Sequence, residues 1–302
     1  MTVDCIAPPP LSQGDKVIIT APAGRIAPAK IDRAAAYLQG LGYRVEIMPH
    51  ARGEWHMFSG TDEQRLADLQ QAMDDPECRM LLMARGGYGL VRIIDRLDLR
   101  GFLSHPKWVV GFSDITHLHA RLQGLNFQSI HGPMTAAFEN PEESGVRPLL
   151  ELLSGKRPSL RLPTHPLNRP GKARGKLIGG NLAILASLLG SPDEPETDGN
   201  LLFLEDVGEY LYRLDRMLHS LKRARKLDRL AGLIVGGLSE MKDGDPGMGT
   251  SAEMLFWQIV DEFDFPICFG FPAGHLPFNQ PLILGAEVEL SIAEQEVTLS
   301  YL

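Results

Sequence analysis

The chain of 302 residues is long for a single hydrophobic core, and this length favours two domains. With 44% hydrophobic and 23% charged residues, its composition is that of an ordinary globular protein. The formal net charge of -8 argues against a general nucleic-acid-binding protein, because contacts with phosphate groups need a basic face. No part of the sequence approaches the ~20 consecutive apolar residues that span a bilayer.

The cysteines indicate the compartment. Cys5, Cys78 and Cys268 are odd in number and far apart, so they form neither a disulfide framework nor a metal-binding pair. The N-terminal sequence lacks the basic and apolar segments of a secretory signal. We therefore expect a protein of a reducing compartment, the cytoplasm.

Strand and helix patterns alternate through the first half of the chain. The apolar runs that indicate strands cover residues 16–20, 43–48, 79–84, 108–110 and 127–130. Helical patterns lie between them, including a capping box at Thr61 and Gln64 and a helix expected over 90–97. This alternation predicts an α/β fold with a doubly wound parallel sheet.

Ligands of such sheets bind at the carboxyl ends of the strands. We therefore expect four loops to open on one edge: 21–24, 85–89, 111–114 and 131–133.

Residues 154–175 interrupt the alternation with prolines and many basic and polar residues. This composition predicts a linker between an N-terminal domain, 1–153, and a C-terminal domain, 176–302. We expect the second domain to be a smaller, mixed β/α unit. Its expected strands cover residues 176–178, 201–204, 231–235, 266–269, 286–292 and 295–301, of which the last two form a hairpin.

The turn after the fourth strand carries Ser113. A helical pattern begins at Ile115, so the chain is expected to turn sharply from strand to helix at Ser113. A hydroxyl on such a turn suits a nucleophile, and the N–H of Asp114 can face a developing oxyanion. Ser113 could instead be an ordinary helix N-cap, and Ile115 occupies the place of the second glycine of Gly-x-Ser-x-Gly. The local sequence leaves both roles open.

A glycine-rich turn, RGGYG at 85–89, follows the third strand. It resembles a phosphate cradle, but Arg92 stands where Gly-x-Gly-x-x-Gly has its third glycine, and no Gly-Lys-Ser/Thr follows. The glycines are better suited to a close approach between the backbone and a ligand, or to a bare tight turn.

The second half offers an acid and a base. Glu205 ends an apolar strand and is either a helix-start cap or an acid held at a site, with Asp206 and Glu209 as rivals. His275 lies in a loop after a strand, and His131, in a loop of the first half, competes with it as a base.

A metal site is not indicated. His117 and His119 lie two residues apart on a helix, so they face different directions and make a poor metal pair. No metal and no other cofactor is expected.

In chain order, Ser113, Glu205 and His275 supply a nucleophile, an orienting acid and a base. His275 would take the hydroxyl proton and Glu205 would fix the imidazole tautomer. The N–H groups of Gly87 and Asp114 would hold the oxyanion. Spacing alone does not show that the second-half residues meet the serine.

Six motifs resemble, in order, those of the LD-carboxypeptidases, a serine peptidase family that also includes the microcin C self-immunity proteins. They are ARGGYG at 84–89, GFSDIT at 111–116, HGP at 131–133, IGGNL at 178–182, LFLED at 202–206 and GHLPFN at 274–279. By this resemblance, Ser113, Glu205 and His275 match the catalytic triad, and Gly87 and Asp114 match the oxyanion donors. The triad positions show no departure from the pattern, although Phe112 stands where tyrosine is frequent in the family.

The resemblance implies a cytoplasmic enzyme of peptidoglycan recycling that releases the terminal D-alanine from muropeptide tetrapeptides. The bond cut would join the L-centre of diaminopimelate or lysine to a D-residue. The resemblance also implies a flavodoxin-like N-terminal domain, a smaller β-rich C-terminal domain, a site between them and a homodimer. No nucleic-acid or membrane partner is expected, and Arg85 and Asn181 are candidates for binding the substrate's terminal carboxylate.

Two other functions stay open. The immunity proteins of the family cleave acyl-sulfamoyl or amide-linked aminoacyl nucleotides, whose base could stack on loop aromatics such as Trp55 and Phe58. A non-catalytic α/β protein could instead use RGGYG and GGNL to hold a small anionic ligand. That function predicts that Ser113→Ala changes neither activity nor binding.

Overall fold

Two β-sheets organise the protein in the computed structural model, which describes residues 5–302. The strands are β1 (Lys16–Thr20), β2 (Arg44–Ile47), β3 (Cys78–Met83), β4 (Trp108–Gly111), β5 (Ser129–His131), β6 (Leu160–Pro163), β7 (Gly171–Asn181), β8 (Leu201–Val207), β9 (Gly232–Ser239), β10 (Ile267–Cys268), β11 (Leu282–Leu284), β12 (Glu287–Ile292) and β13 (Glu296–Tyr301). The helices are α1 (Pro28–Gly40), α2 (Asp62–Asp74), α3 (Arg100–Ser104), α4 (Thr116–Gly124), α5 (Val146–Leu153), α6 (Leu182–Ser187), α7 (Leu211–Arg223) and α8 (Ala252–Val260). Within the described residues, no helix has both the length and the apolar character that crossing a bilayer requires.

The first sheet has the strand order β11-β5-β4-β3-β1-β2. Its strands β1 to β5 run parallel, and β11 lies antiparallel on the edge beside β5. The inner strands β1, β3 and β4 are almost continuously apolar and buried, as expected for a sheet covered by helices on both faces, whereas the edge strand β2 is only partly buried. The predicted α/β class, with a mostly parallel N-terminal sheet, is confirmed.

The second sheet has the order β10-β9-β8-β7-β12-β13-β6 and is mixed. Strands β7 to β10 pair in parallel, whereas β12, β13 and β6 pair antiparallel. The hairpin of β12 and β13 forms as the alternating pattern predicts. The second half is therefore the mixed domain that the sequence indicates.

A side chain caps the start of α2. Thr61 accepts a hydrogen bond from the N–H of Gln64, and the Gln64 side chain accepts one from the N–H of Thr61, so the predicted capping box forms at α2.

The segment 90–97 differs from the prediction, because it forms two short 3-10 turns, Leu90–Arg92 and Ile94–Arg96, instead of one α-helix. Hydrogen bonds between residues three apart hold these turns, and the apolar side chains of the segment are buried except that of Val91.

The division between the halves is less simple than the sequence suggests. The segment 154–175, expected to be a linker, contains β6, which pairs with β13 at the edge of the second sheet. In the opposite direction, β11 of the second half adds to the first sheet, where Leu282 pairs with His131. Each half of the chain therefore contributes to the structure around the predicted site residues: β11 of the second half pairs with β5, whose last residue is His131.

Candidate active site

Ser113 occupies a strained turn between β4 and α4. Its φ of 66° lies in the left-handed region, which residues with side chains rarely adopt, at a cost of about 1–3 kcal/mol. Gly111 allows the turn because a Cβ there would lie only 3.0 Å from both Ile115 and Met83. A strained serine between a strand and a helix is the geometry in which nucleophiles of the α/β-hydrolase type are held.

The glycine-rich loop after β3 lies directly against this turn. A Cβ on Gly86 would be 2.8 Å from the Cβ of Ser113, 3.0 Å from its Oγ and 3.1 Å from the N of Asp114. Only glycine permits this close approach. The sequence indicated that the backbone of this loop comes close to another group, but not that the group is the Ser113 turn. The loop continues through Gly87 at a φ of 91°, so both expected oxyanion donors, Gly87 and Asp114, lie next to the serine turn.

The side chain of Asp114 joins the two turns. It is buried, and its Oδ2 accepts a hydrogen bond of 2.8 Å from the N–H of Leu90. Burial raises the pKa of this carboxyl to about 6, although backbone hydrogen bonds from Leu90 and Gly89 act to lower it. Two contacts therefore hold the loop at 85–89 against the serine turn. One is the close packing of Gly86 against Ser113, and the other is the hydrogen bond from Leu90, just after the loop, to the Asp114 carboxyl.

Glu205 and His275 form a hydrogen-bonded pair. Glu205, on β8, is fully buried, and its Oε2 is 2.6 Å from Nδ1 and 3.2 Å from the backbone N of His275. Burial alone would lower the pKa of His275, but the hydrogen bond and charge of Glu205 outweigh it and raise that pKa above 6.5. A carboxylate that fixes one imidazole nitrogen leaves the other nitrogen able to act as a base.

The Glu205–His275 pair lies beside the serine turn. The ring of Phe112, the residue before Ser113, contacts the imidazole of His275 with centroids 4.8 Å apart. Gly274 lets His275 take this position, because a Cβ there would be 2.6 Å from Oε2 of Glu205. The structure therefore brings the predicted base and acid of the second half to the turn that carries the predicted nucleophile.

The rivals of Glu205 are engaged elsewhere or more open. Asp206 is buried, but its carboxylate accepts hydrogen bonds from Asn181 Nδ2 at 2.9 Å and from the N–H of Ala183 at 3.0 Å. Burial raises its pKa to about 6. Glu209 is only partly buried, and its backbone carbonyl accepts a hydrogen bond from Lys242.

The two residues expected to bind substrate lie in different surroundings. Asn181 is nearly buried, and its Oδ1 accepts a hydrogen bond of 3.2 Å from the N–H of Ile184, so it caps the start of α6. An asparagine before an apolar helical run is a signal for this cap that the sequence already contained. Arg85 is exposed, and one guanidinium nitrogen donates a hydrogen bond of 2.5 Å to the carbonyl of Arg25.

Two cavities meet at Arg25 and Arg85. The larger, about 1020 Å³, is lined by Phe112 and Met134 of the first half and by Leu276 and Asn279 of the second. The smaller, about 300 Å³, lies on the other side, next to Gly87 and the exposed side chains of Met57 and Tyr88. The larger cavity thus reaches Phe112, the residue before Ser113, and the smaller reaches Gly87, the expected oxyanion donor.

His131 is a site residue whose place the sequence did not show. Its Nε2 is 3.7 Å from the Oε1 of Glu205, and both side chains are fully buried. The HGP motif singled it out only as a rival base. Glu205, its neighbour in space, belongs to the other half of the chain, and no local sequence pattern reveals such a contact.

Comparisons with known proteins identify the family of the chain. Residues 17–132 match the profile of the LD-carboxypeptidase N-terminal domain, and residues 174–290 match that of the LD-carboxypeptidase C-terminal domain. A probable murein peptide carboxypeptidase of Bacillus subtilis is 34% identical over 300 residues, which cover 97% of this chain and 93% of that protein.

The fold also matches solved structures. The crystal structure of a muramoyltetrapeptide carboxypeptidase from Oxalobacter formigenes superposes with a TM-score of 0.86 at 28% identity, over 95% of this chain and 98% of that chain. The microcin C7 self-immunity protein MccF of Escherichia coli is a more distant relative, 24% identical over 328 residues that cover 96% of this chain and 94% of MccF. The chain belongs to the LD-carboxypeptidase family, peptidase family S66, which it shares with the microcin immunity proteins.

Proposed function

We propose that the protein is a serine-type LD-carboxypeptidase that releases the terminal D-alanine from murein tetrapeptides. The observation that carries this proposal is the 2.6 Å hydrogen bond between Glu205 and His275, which lies against the strained turn of Ser113. The relatives named for murein peptides supply the substrate class.

The proposed reaction proceeds through an acyl-enzyme. His275 takes the proton of Ser113 as its Oγ attacks the carbonyl carbon of the L-centred residue. Glu205 stabilises the imidazolium that forms, and the N–H groups of Gly87 and Asp114 bind the oxyanion. The imidazolium then gives its proton to the departing amino group of D-alanine.

Water completes the cycle. His275 takes a proton from a water molecule, which attacks the ester carbonyl of the acyl-enzyme. The tripeptide leaves with a new carboxylate, and the proton returns to the Oγ of Ser113.

Arg85 is proposed to bind the terminal carboxylate of the substrate. It is exposed at the meeting point of the two cavities, and a Cβ built on Gly87 lies 3.8 Å from its Nε, so its side chain lies over the expected oxyanion donor. The smaller cavity of about 300 Å³ is large enough for one small residue such as D-alanine. A planar guanidinium suits a carboxylate in two-point contact.

Substitution of Arg85 tests this contact. We expect Arg85→Gln to raise KM for a tetrapeptide about tenfold or more, which is the value of one charged hydrogen bond, while kcat changes less. A tetrapeptide with a C-terminal amide should be a poor substrate of the natural enzyme and should not be affected further by Arg85→Gln. Equal losses on the acid and the amide would show that Arg85 does not bind the carboxylate.

A substrate panel tests the function itself. The natural chain is incubated with a murein tetrapeptide ending in D-alanine, with the same peptide ending in L-alanine and with an aminoacyl-sulfamoyl adenosine, and the released amino acid is quantified by chromatography. The proposal predicts D-alanine release from the first substrate only. Preferred cleavage of the nucleotide would assign the chain to the immunity branch, and binding without turnover of any substrate would assign it to a non-catalytic role.

A further inference from the structure

His131 is buried at the carboxyl end of β5 without a hydrogen bond. Within residues 5–302 the structure gives neither Nδ1 nor Nε2 of its ring a hydrogen-bond partner, and the side chain is fully buried. A buried polar group left unpaired is destabilising and uncommon in folded proteins, so this ring calls for an explanation.

The nearest partner is the unpaired oxygen of Glu205. The Oε2 of this carboxylate receives both hydrogen bonds from His275, whereas Oε1 is buried and has no hydrogen-bond partner among the described residues. Oε1 lies 3.7 Å from Nε2 of His131. A buried carboxylate is stable as an anion only when its oxygens are paired, and His131 is the donor that lies opposite.

Packing holds the two side chains facing each other. The His131 ring makes edge contacts with Phe112 and Phe203, at centroid distances of 5.7 Å and 5.0 Å. Gly274 lies so close to Glu205 that a Cβ there would be 2.7 Å from its Cγ. Because the two atoms are 3.7 Å apart, a displacement of about half an ångström would bring them within hydrogen-bonding distance.

We propose that His131 is a positioning residue, whose Nε2–H donates a hydrogen bond to Oε1 of Glu205 and holds the carboxylate in the orientation that His275 needs. This role rests on the proposed triad. In this arrangement Glu205 lies between two imidazoles: that of His275, which takes part in the reaction, and that of His131, which holds the carboxylate in place.

The surroundings exclude the rival role of His131 as the general base. Its backbone is flanked by Gly111 of β4 and Leu282 of β11, and its side chain is fully buried, whereas the side chain of His275 is 20% exposed. The proposed base must reach the hydroxyl of Ser113, and of the two imidazoles only that of His275 is partly exposed.

The charged groups around the two imidazoles determine the expected pH effect. His131 faces Glu205 of β8 and His119 of α4, which itself bonds Ser129 and the carbonyl of Gly111. His275 faces Glu205, with the charges of Asp206 and Glu240 farther away. The dipole of a donor at Oε1 stabilises the negative charge of Glu205, so its removal makes the carboxylate more basic and raises the pKa of the hydrogen-bonded imidazole.

Two matched substitutions test the proposal through the pH profile of kcat/KM for tetrapeptide hydrolysis. His131→Phe keeps a ring and removes the donor, whereas His131→Gln can present an amide N–H near the place of Nε2. We expect His131→Phe to lower kcat about tenfold or more, as loss of an orienting partner does elsewhere, and to move the acidic limb upward by roughly half a pH unit. His131→Gln should recover much of both effects. Equal losses in the two variants with an unmoved limb would overturn the proposal.

A measurement on the unaltered chain covers the case in which the variants do not fold. Long-range ¹H–¹⁵N spectra of histidine-labelled protein distinguish a protonated from a bare ring nitrogen. The proposal predicts that Nε2 of His131 carries a proton throughout the pH range of activity, and a bare Nε2 would overturn it. Because this measurement needs no substrate, it tests His131 even if no tetrapeptide is cleaved.

Discussion

At Glu205 a buried carboxylate keeps its charge because hydrogen bonds from His275 replace the water it has lost. Burial acts to raise the pKa of this acid, but the nearby histidines His131 and His275 hold it well below its ordinary value. The same bond raises the pKa of His275. Glu205 therefore raises the pKa of the proposed base, while two histidines together keep the proposed acid charged.

The pH profile tests this contact. Because the base must be neutral to accept a proton, we expect kcat/KM to fall as the pH is lowered through the raised pKa of His275, which lies above 6.5. Glu205→Gln removes the carboxylate, so the limb should move to lower pH while the rate falls by about a hundredfold or more. Glu209→Gln is the matched control, because Glu209 lies only four residues after Glu205. This variant should keep the acidic limb of the profile and the rate close to those of the natural chain. A limb that Glu205→Gln does not move would mean that His275 titrates without this partner.

At the scale of the element, the loops at the sheet edge are held by buried polar side chains. Arg65 of α2 is buried, donates hydrogen bonds to the carbonyls of Pro22 and Gly89, and lies over the ring of Phe58. Asp114 fixes the start of the next turn through Leu90. Hydrogen bonds from buried side chains, which water cannot reach, thus give these loops a defined geometry.

Asp114 predicts a measurable pH dependence of stability. Its folded-state pKa of about 6 lies above the 3.8 of the unfolded chain, so the folded state binds more protons between these values and loses stability as the pH rises through them. Asp114→Asn keeps an acceptor for Leu90 but does not titrate. The free energy of unfolding of Asp114→Asn, relative to that of the natural chain, should therefore increase by about 2 kcal/mol as the pH rises from ~4 to ~6.

The companion variant Asp114→Ala separates charge from hydrogen bonding. It leaves the N–H of Leu90 without its acceptor and should cost about 1–3 kcal/mol at every pH. Urea denaturation at several pH values measures both variants. A constant difference between Asp114→Asn and the natural chain would show that the carboxyl titrates alike in the folded and unfolded states.

For the whole molecule, function depends on how the two sheets meet. Thr116, at the start of α4, accepts a hydrogen bond of 3.1 Å from the buried N–H of Asn181 at the end of β7. Gly180 lies so close that a Cβ there would be 2.7 Å from the Oγ1 of Thr116. The helix that follows Ser113 therefore rests on the second sheet, which also supplies Glu205.

Two glycine substitutions test this junction. Gly180 and Gly190 have φ values of 143° and 79°, so alanine strains the backbone at both, but only Gly180 would press on a neighbour. We expect Gly180→Ala to cost about 1–3 kcal/mol more than Gly190→Ala and to lower kcat/KM about tenfold or more, because α4 and the serine turn shift together. Thermal unfolding and tetrapeptide kinetics measure the two effects. Similar kinetics for both variants would mean that the serine is placed independently of the second sheet.

Much of this arrangement follows from sequence patterns that act over short distances. The turn at Ser113, the buried strand that carries Glu205 and the capping box at Thr61 are local, and the structure has all three elements, although this strand continues past Glu205 to Val207. The addition of β11 to the first sheet and the approach of His131 to Glu205 are not local. They depend on the order of strands and on the docking of the two sheets, which hydrophobic periodicity does not encode.

The role of Ser113 as nucleophile is tested by the rate of D-alanine release from a murein tetrapeptide by Ser113→Ala relative to the natural chain, with binding of the peptide followed by calorimetry. If Ser113 is the nucleophile, the rate should fall by roughly four powers of ten or more while the peptide still binds, since removal of a triad member leaves only catalysis by binding and the oxyanion donors. Release at an undiminished rate by Ser113→Ala would contradict the account, because the reaction would then not pass through this hydroxyl.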